Sequence, residues 1–358
     1  MALRTFSEIT YAPLLELRPA EMVALESLPE KDKDLLLPFF KLRPWLAAHE
    51  LASAVGRLKS AYGNRPCFLS LGEHDVPDVV RPVHRDLARL GTPADGFKEW
   101  CEFFSLEANA QFIPCLQLTD AAEFDEQARR LYALNRGVGV VIEYGALPFA
   151  DVIAERLAAA TNGGEDAFLV LDFARQGQSM TAQASDIKSR LAEIHRIAPS
   201  AVKSVSASSF PESFTTIASQ EIFERTAFEK YSRECEFRVV YSDRGSARAE
   251  RQNGGGGAPA PRIDYAADQH WYFHRSSVGG DRLTQYQQMA IDLIGSPYWD
   301  AKLRLWGTQM IERTALGDRE AITSPPRATA ARINLHLHRQ LHFGNPAALY
   351  DTEDEWVD

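Results

Sequence analysis

Charged side chains at the ends of apolar runs are the residues of this chain best suited to do chemistry. Glu16 and Arg18 lie two positions apart, and so do Lys41 and Arg43, so each pair points to one side of an extended segment. Basic side chains bind phosphate or carboxylate groups, and a nearby carboxylate serves as a general base or a metal ligand. The pattern therefore indicates a pocket of mixed charge that accepts an anion.

Two further carboxylates lie inside otherwise apolar runs, Glu143 in VVIEYG and Asp172 in LVLDFA. A buried carboxylate without a partner is costly, so something must compensate each of them. The candidate catalytic residues are Glu143, Asp172 and Glu16, and the candidate ligand-binding residues are Arg18, Lys41 and Arg43. The alternative interpretation is structural, with polar strand ends where the chain leaves the core and Arg paired with Glu across neighbouring strands.

Eight short apolar runs, each bounded by turn residues, would position these side chains. Strands that are apolar on both faces and alternate with amphipathic helices indicate a parallel sheet covered by helices, and eight such units predict a (β/α)8 TIM-barrel-like fold. In such a barrel the carboxyl ends of the strands carry the site. The runs are Tyr11–Arg18, Leu35–Arg43, Pro66–Gly72, Gln111–Leu118, Gly137–Tyr144, Ala167–Ala174, Ala201–Ser208 and Phe237–Asp243.

The positions of the runs and a change in composition also predict three regions of the chain. Residues 1–243 form the barrel-like domain, residues 244–261 (RGSARAERQNGGGGAPAP) form a flexible Gly-rich loop, and residues 262–358 form a small α+β C-terminal appendage packed on the barrel. In the appendage, HWYFHR reads as a strand and Leu283–Ile294 as a helix. Its aromatic residues either fasten it to the barrel or bind a partner, and we favour fastening because a small region needs such burial.

His338 and His342 stand four residues apart, which would align two imidazoles on one helix face. No HExxH motif accompanies them, and the alternation over residues 333–337 fits a strand equally well. A structural role is preferred to metal ligation, and both stay open. Ser206 and Ser208 lack a GxSxG motif, and neither GxGxxG nor GxxxxGK[ST] occurs, so the sequence assigns no nucleophile, nucleotide loop or cofactor.

Composition narrows the class of protein further. Lys and Arg number 39 against 49 Asp and Glu, a formal charge of −10 that argues against broad nucleic-acid binding while allowing local basic patches. The four cysteines form no CxxC pair and lie in or beside apolar runs, which indicates buried free thiols in a reducing cytoplasm. No stretch is long and apolar enough for a signal or a membrane span, so we expect a cytoplasmic protein.

Three segments together resemble the beta family proteins of bacteria and phages, a group named for a T-even bacteriophage beta protein. They are YAPLLELRPAEMVALESLPEKDKDLLLPFFKLRP at the start, PRIDYAADQHWYFHRSS after the Gly-rich loop, and ARINLHLHRQLHFG, which resembles a His-containing C-terminal helix of the group. The order and spacing of the segments carry the resemblance. The insertion at Gly254–Gly257 departs from the pattern of the group and lengthens a connection.

The resemblance implies a barrel-like fold, a bacterial or phage cytoplasmic setting and a connection to phage conflict or mobile elements. It brings no reaction, so no catalytic residue is transferred. We expect a binding module that recognises a protein partner or a small anionic ligand through the loops at the barrel rim. The alternative is a hydrolase or lyase, metal-dependent or not, that acts on an anionic, phosphorylated substrate through the rim carboxylates.

Overall fold

Every apolar run named above contains a β-strand. The computed structural model describes residues 2–72, 80–214, 216–248, 260–275 and 281–354, so most of the Gly-rich segment, with Gly254–Gly257, lies outside the described residues. The runs supply β1 to β7 and β9, which confirms the strand prediction. The strands are β1 (Leu14–Glu16), β2 (Phe39–Leu42), β3 (Cys67–Leu71), β4 (Phe112–Leu116), β5 (Val138–Ile142), β6 (Ala167–Arg175), β7 (Val202–Ser208), β8 (Ser219–Glu221), β9 (Val239–Tyr241), β10 (Arg262–Ala266) and β11 (His270–Arg275).

Helices separate most of these strands, as the amphipathic stretches predict. They are α1 (Pro19–Glu26), α2 (Glu30–Leu35), α3 (Leu51–Tyr62), α4 (Pro82–Leu90), α5 (Ala94–Ser105), α6 (Phe124–Tyr132), α7 (Ala150–Ala160), α8 (Ser179–Ala182), α9 (Ala184–Ile197), α10 (Phe223–Glu234), α11 (Arg282–Ile294), α12 (Trp306–Ala315), α13 (Pro325–Leu341) and α14 (Pro346–Leu349), with short 3-10 helices at Phe6–Glu8, Glu107–Asn109 and Tyr144–Phe149.

The chain divides into two compact units, and unit 1 comprises Met1–Leu17, Leu36–Ser208 and Phe223–Arg244. Its eight strands form one parallel sheet in the order β1-β2-β3-β4-β5-β6-β7-β9, so each strand of this unit lies beside the next strand of the unit. The backbone N–H of Ala12 donates to the carbonyl of Tyr241 over 2.9 Å, and that of Leu14 donates to Asp243 over 2.8 Å. Residues 11–14 are therefore hydrogen-bonded to the strand at the other end of this order.

An aromatic layer fills one end of the core of unit 1. Phe39 stacks on Phe68 with ring centroids 4.0 Å apart, and Phe168 meets Phe68 edge-on at 5.5 Å. Gly139 completes the layer because a Cβ there would lie 2.7 Å from the Phe68 ring. Phe6, from the segment before β1, adds its ring 5.2 Å from that of Phe68. These contacts fix the strands on which the charged side chains stand.

Unit 2 comprises Arg18–Leu35, Ser209–Ile222 and Gly245–Asp358. Its three-stranded antiparallel sheet has the order β10-β11-β8, and Trp271 in β11 lies fully buried in its core. Two of its segments, with α1, α2 and β8, precede residue 243 and were expected in the barrel-like domain. They belong to unit 2 because α1 and α2 pack against α13, and because β8 extends the hairpin of β10 and β11.

The last long element, α13, is a helix, as the resemblance implied, and the strand alternative for residues 333–337 is wrong. Every residue of α13 from Ala330 to Leu341 is buried, so polar and apolar side chains alike face protein and no amphipathic period shows in the sequence. Buried Asn334 joins three helices, because its Oδ1 accepts from the Gly307 N–H of α12 and its Nδ2 donates to the Ala24 carbonyl of α1.

Two predictions from the sequence concern the state of the cysteines and the lack of a membrane-spanning stretch. Cys67, Cys101 and Cys115 are buried free thiols, as the sequence indicates, whereas Cys235 is a free thiol of intermediate exposure. Among the helices of the described ranges, none combines the length and the apolar character that crossing a bilayer requires.

Candidate functional site

Five of the six predicted site residues lie at the carboxyl end of the sheet in unit 1. Glu16 ends β1 and is in register with Lys41 of β2, and Arg43 follows that strand directly. Glu143 follows β5, and Asp172 lies near the end of β6. We call these five residues the carboxyl rim. Parallel strands bring them to one edge of the sheet, as the run pattern predicts.

Two ion pairs occupy one part of the carboxyl rim. The Nε of Arg43 lies 2.9 Å from Oε2 of Glu16, and both side chains are largely buried. The Nζ of Lys41 donates to Oε1 of Glu143 over 2.5 Å. Lys41 and Arg43, which were predicted to bind an anion, therefore each form an ion pair with a carboxylate of the same chain.

The charge state of Glu143 follows from these neighbours. Burial acts to raise the pKa of Glu143, but the charge and hydrogen bond of Lys41 and the charge of Arg244 outweigh burial and lower that pKa. Glu143 is therefore an ionised partner of Lys41 at neutral pH. A general acid would need the opposite shift.

Asp172 has a cation partner that was not among the predicted site residues. Its side chain is fully buried, and the Arg244 guanidinium binds it, with Nη2 donating to Oδ2 and Nε to Oδ1. The N–H of Ala174 donates to Oδ1 over 3.0 Å at an irregularity in the pairing of β6 with β7. The compensation expected for Asp172 is therefore present. The signal for Arg244 was its position, directly after the eighth run.

The sixth predicted residue, Arg18, belongs to unit 2 and lines a cavity of about 510 Å³ there. We call this the arginine cavity, because four of its lining residues are arginines from four separate segments of the chain. Two carboxylates also line it, so its charged lining sums to +2. The charged lining residues are Arg18, Arg248, Arg262, Arg332, Glu21 and Asp264.

One carboxylate in the arginine cavity serves two arginines. Arg332 donates from Nη1 to Oδ2 of Asp264 over 2.7 Å, and the Nε of Arg262 lies 2.5 Å from Oδ1 of the same carboxylate. Arg332 and Asp264 are 5% and 4% exposed, so this contact is shielded from water. Two charges facing one carboxylate leave a local excess of positive charge.

Aromatic rings and backbone carbonyls hold the arginines in place. The Arg332 guanidinium lies 4.0 Å from the centre of the Phe210 ring, and that of Arg262 lies 3.4 Å from the Phe214 ring. Arg248 donates from Nε to the Pro211 carbonyl over 3.1 Å. Guanidiniums fixed in this way lose little conformational entropy when a ligand binds.

Two helices begin at the same cavity. The first residues of α1, Pro19 to Glu21, and the first turn of α13, from Pro325, are among its lining residues. Helix N-termini carry a partial positive charge and favour anions. Burial, together with the charge of Arg262, lowers the pKa of both Arg248 and Arg332, which reflects the crowding of positive charge. The cavity has the chemistry of an anion-binding site.

The histidine pair lies elsewhere in unit 2. His338 and His342 share one face of α13, and both contact the carboxylate of Asp32 in α2. None of the three lines the arginine cavity. The i, i+4 spacing therefore indicated the helix correctly, whereas nothing in the sequence marked Asp32 as their common partner.

Fold and site together define an α/β protein with an eight-stranded parallel sheet and, in its second unit, an arginine-lined cavity. A family model described as Beta protein matches residues 11–342, so the chain belongs to that family. The chain is also similar to Protein beta of Enterobacteria phage P4, with 27% identity over 348 residues that cover 94% of each chain. This relative is a phage protein, which makes the family phage-associated. Neither match bears on the T-even phages.

Proposed function

We propose that this protein is a binding module that recognises a phosphate-bearing small molecule in the arginine cavity. The observation that carries the proposal is the convergence of four arginines and two helix N-termini on one cavity with two carboxylates. Arginine is the side chain best matched to phosphate, because its planar fork donates two parallel hydrogen bonds.

The size of the cavity favours a small molecule. Its volume of about 510 Å³ is within the range of small-molecule sites. An extended nucleic-acid backbone would require a basic surface, whereas the chain as a whole has a formal charge of −10. A mono- or diphosphate compound therefore fits the cavity best.

We also propose a setting for this binding. Family membership and the phage relative support a role in a phage-conflict or mobile-element system, in which the ligand would act as a signal, and a cytoplasmic location agrees with the free thiols. For the fold we propose a closed (β/α)8 barrel in unit 1. Its support is the pair of backbone hydrogen bonds from Ala12 and Leu14 to Tyr241 and Asp243.

The alternative expected from the sequence, a hydrolase or lyase, has less support. It needs a rim carboxylate that can take a proton or hold a metal ion. Glu16, Glu143 and Asp172 contact Arg43, Lys41 and Arg244 respectively. Because no observation singles out a reacting group among them, binding is the better proposal.

Titration of the purified full chain with pyrophosphate tests the proposal. Calorimetry should show saturable binding that weakens as salt is raised, since the contacts are ionic. Arg18→Met and Arg248→Met should each weaken it by about tenfold or more, because a charge-assisted hydrogen bond contributes about 1.5–3 kcal/mol.

Arg304→Met is the matched control, because Arg304 is an arginine of unit 2 that pairs with Glu312 at the surface. Its affinity for pyrophosphate should equal that of the unaltered chain. Equal affinity in the Arg18 and Arg248 variants, or no saturable binding by the folded chain, would overturn the proposal. Nucleoside diphosphates in the same assay would show whether a base contributes.

A protein partner at the carboxyl end of the sheet is a second candidate, and one observation favours it. Tyr144 and Phe149, in the connection after β5, are 61% and 62% exposed, so two large aromatic side chains of one connection face solvent. The double variant Tyr144→Ser, Phe149→Ser should abolish biological activity in the host while leaving pyrophosphate affinity unchanged. Full activity in that variant would remove this candidate.

A further inference from the structure

A buried cluster in unit 2 combines two histidines and an aspartate. His338 and His342 stand one turn apart on α13, and Asp32 comes from α2. Asp32 and the His338 side chain are 0% exposed, and the His342 side chain is 8% exposed. The cluster is thus shielded, with its one slight opening at His342.

The donor atoms of the cluster converge. The Nδ1 of His338 lies 2.6 Å from Oδ2 of Asp32, and the Nε2 of His342 lies 2.8 Å from Oδ1. One donor atom from each residue lies within 4.8 Å of the other two. Two imidazole nitrogens and a carboxylate oxygen are ligands that zinc and similar divalent metals prefer.

Hydrogen-bond accounting at His338 points to a cation. Its Nε2 lies 2.9 Å from the carbonyl oxygen of Leu349, which only accepts, so Nε2 carries a hydrogen. If the ring is neutral, its other nitrogen, Nδ1, then carries a lone pair that points toward the Asp32 carboxylate. Two hydrogen-bond acceptors would face each other there. A second proton or a metal ion must therefore lie between them.

The contact with Leu349 favours the metal ion. Histidines that bind metals almost always donate their other ring N–H to a carbonyl or carboxylate, which fixes the tautomer and aims the free nitrogen. Because a neutral His338 with Nε2 protonated is already in that state, it could bind a metal without further change of tautomer.

We propose that Asp32, His338 and His342 form a binding site for one divalent transition-metal ion of the zinc class. The ion would take the place of the proton between the imidazoles and the carboxylate. Donor atoms around tetrahedral zinc lie about 3.3 Å apart, so each of the two contacts between a histidine and Asp32 would lengthen by about half an ångström on binding. This site is independent of the ligand proposed for the arginine cavity.

The test uses the full chain, stripped with a chelator and then titrated with Zn²⁺ and with Co²⁺. We expect one equivalent of each to bind, visible absorption bands for the cobalt form, and a rise in melting temperature with added zinc. His342→Gln, the variant at the edge of the cluster, should weaken zinc binding by about 100-fold or more, since even outer-shell changes weaken metal binding by about 10–100-fold.

His270→Gln is the matched control, because His270 is a histidine of unit 2 outside the cluster. It should bind zinc like the unaltered chain. Circular dichroism would establish that each variant is folded. Folded protein that binds no zinc, or zinc binding that is equal in the His342 and unaltered chains, would overturn the proposal and assign the cluster to a shared proton.

Discussion

The two units differ in how their charged side chains are paired. At the carboxyl rim of unit 1 each predicted carboxylate contacts a separate cation, as in the pair of Lys41 and Glu143. In the arginine cavity of unit 2 four arginines meet two carboxylates, and one of these, Asp264, serves two arginines. The same residue types therefore neutralise one another in one unit and create a positive cavity in the other.

This difference shows that binding capacity follows the local balance of charge and not the number of charged residues. The ion pairs of the carboxyl rim stabilise the strand ends but leave little affinity for a ligand, because an incoming anion must compete with a carboxylate of the chain for each cation. An arginine cavity with excess charge gains from an anion, because the anion relieves repulsion among the cations. Four predictions test this comparison, in order of expected effect.

Removing one cation should cost more in unit 1 than in unit 2. Arg244→Met leaves the fully buried Asp172 without a cation, and we expect a loss of about 3–5 kcal/mol in the free energy of unfolding. Arg332→Met should cost less, about 1–3 kcal/mol, because Arg262 still faces Asp264. Urea denaturation measures both variants.

Lys41→Met is the control for this measurement, because Glu143 is 52% exposed and a pair of this kind contributes less than about 1 kcal/mol. An equal loss in the Arg244 and Arg332 variants would mean that Arg262 does not substitute for Arg332. In that case the two units would treat their buried carboxylates alike.

Raising the excess of charge in the arginine cavity should strengthen anion binding. In Asp264→Asn the side chain no longer competes for Arg262 and Arg332, so pyrophosphate affinity should rise by about tenfold, the effect of about 1.4 kcal/mol. Glu143→Gln in unit 1 should leave the affinity unchanged. A fall in affinity of the Asp264 variant would show that this carboxylate orders the arginines more than it competes for them.

Lys203 in unit 1 is a buried cation whose contacts include no carboxylate in the described part of the chain. It is 1% exposed and contacts His195 and the Pro199 carbonyl, and burial lowers its pKa to about 8. The unfolded chain then binds one more proton than the folded chain between about pH 8 and about pH 10.5, so stability rises with pH there.

Thermal or urea unfolding at several pH values measures this effect against Lys203→Met. The unaltered chain should gain about 1–2 kcal/mol relative to that variant from about pH 8 to about pH 10. Lys188→Met, at an exposed pair with Glu234, should give no such gain. A constant difference across this range would mean that Lys203 keeps an ordinary pKa.

All four cysteines belong to unit 1, so thiol labelling reports on that unit alone. Cys235 should react first with a disulfide reagent, because it is the least buried. Burial raises the pKa of Cys67 and Cys115 and raises that of Cys101 to about 11, so thiolate is scarce at all three. Rapid labelling of the Cys235→Ser variant would mean that one of the three buried thiols reacts, which would show that unit 1 opens locally.

The sequence predicted the strands and the positions of the rim side chains well. Each apolar run became a strand because a strand covered on both faces is apolar throughout, and that pattern is local. Glu143 and Asp172 were predicted to need compensation for the same local reason. Their partners, Lys41 and Arg244, are distant in sequence, so no spacing rule could pair them with these carboxylates.

The arginine cavity, and the aspartate that the two histidines share, could not be predicted from the sequence. Arg18, Arg248, Arg262 and Arg332 come from four segments, two of them beside the Gly-rich stretch that separates recognisable elements. The assignment of Arg18–Leu35 to unit 2 also followed from packing, because α1 and α2 bury their faces against α13. The pattern of a single sequence does not show which helix packs against the apolar face of another.

By itself, the sequence determined the eight strands of the parallel sheet and the burial of three thiols, since both follow from patterns over a few neighbouring residues, and the order of its segments indicated the family. Only the tertiary structure decided which charges cancel and which accumulate, and which aspartate two histidines share. The physical reason is that electrostatic pairing falls off over a few ångströms in space. Residues hundreds of positions apart come within that distance only when the chain has folded.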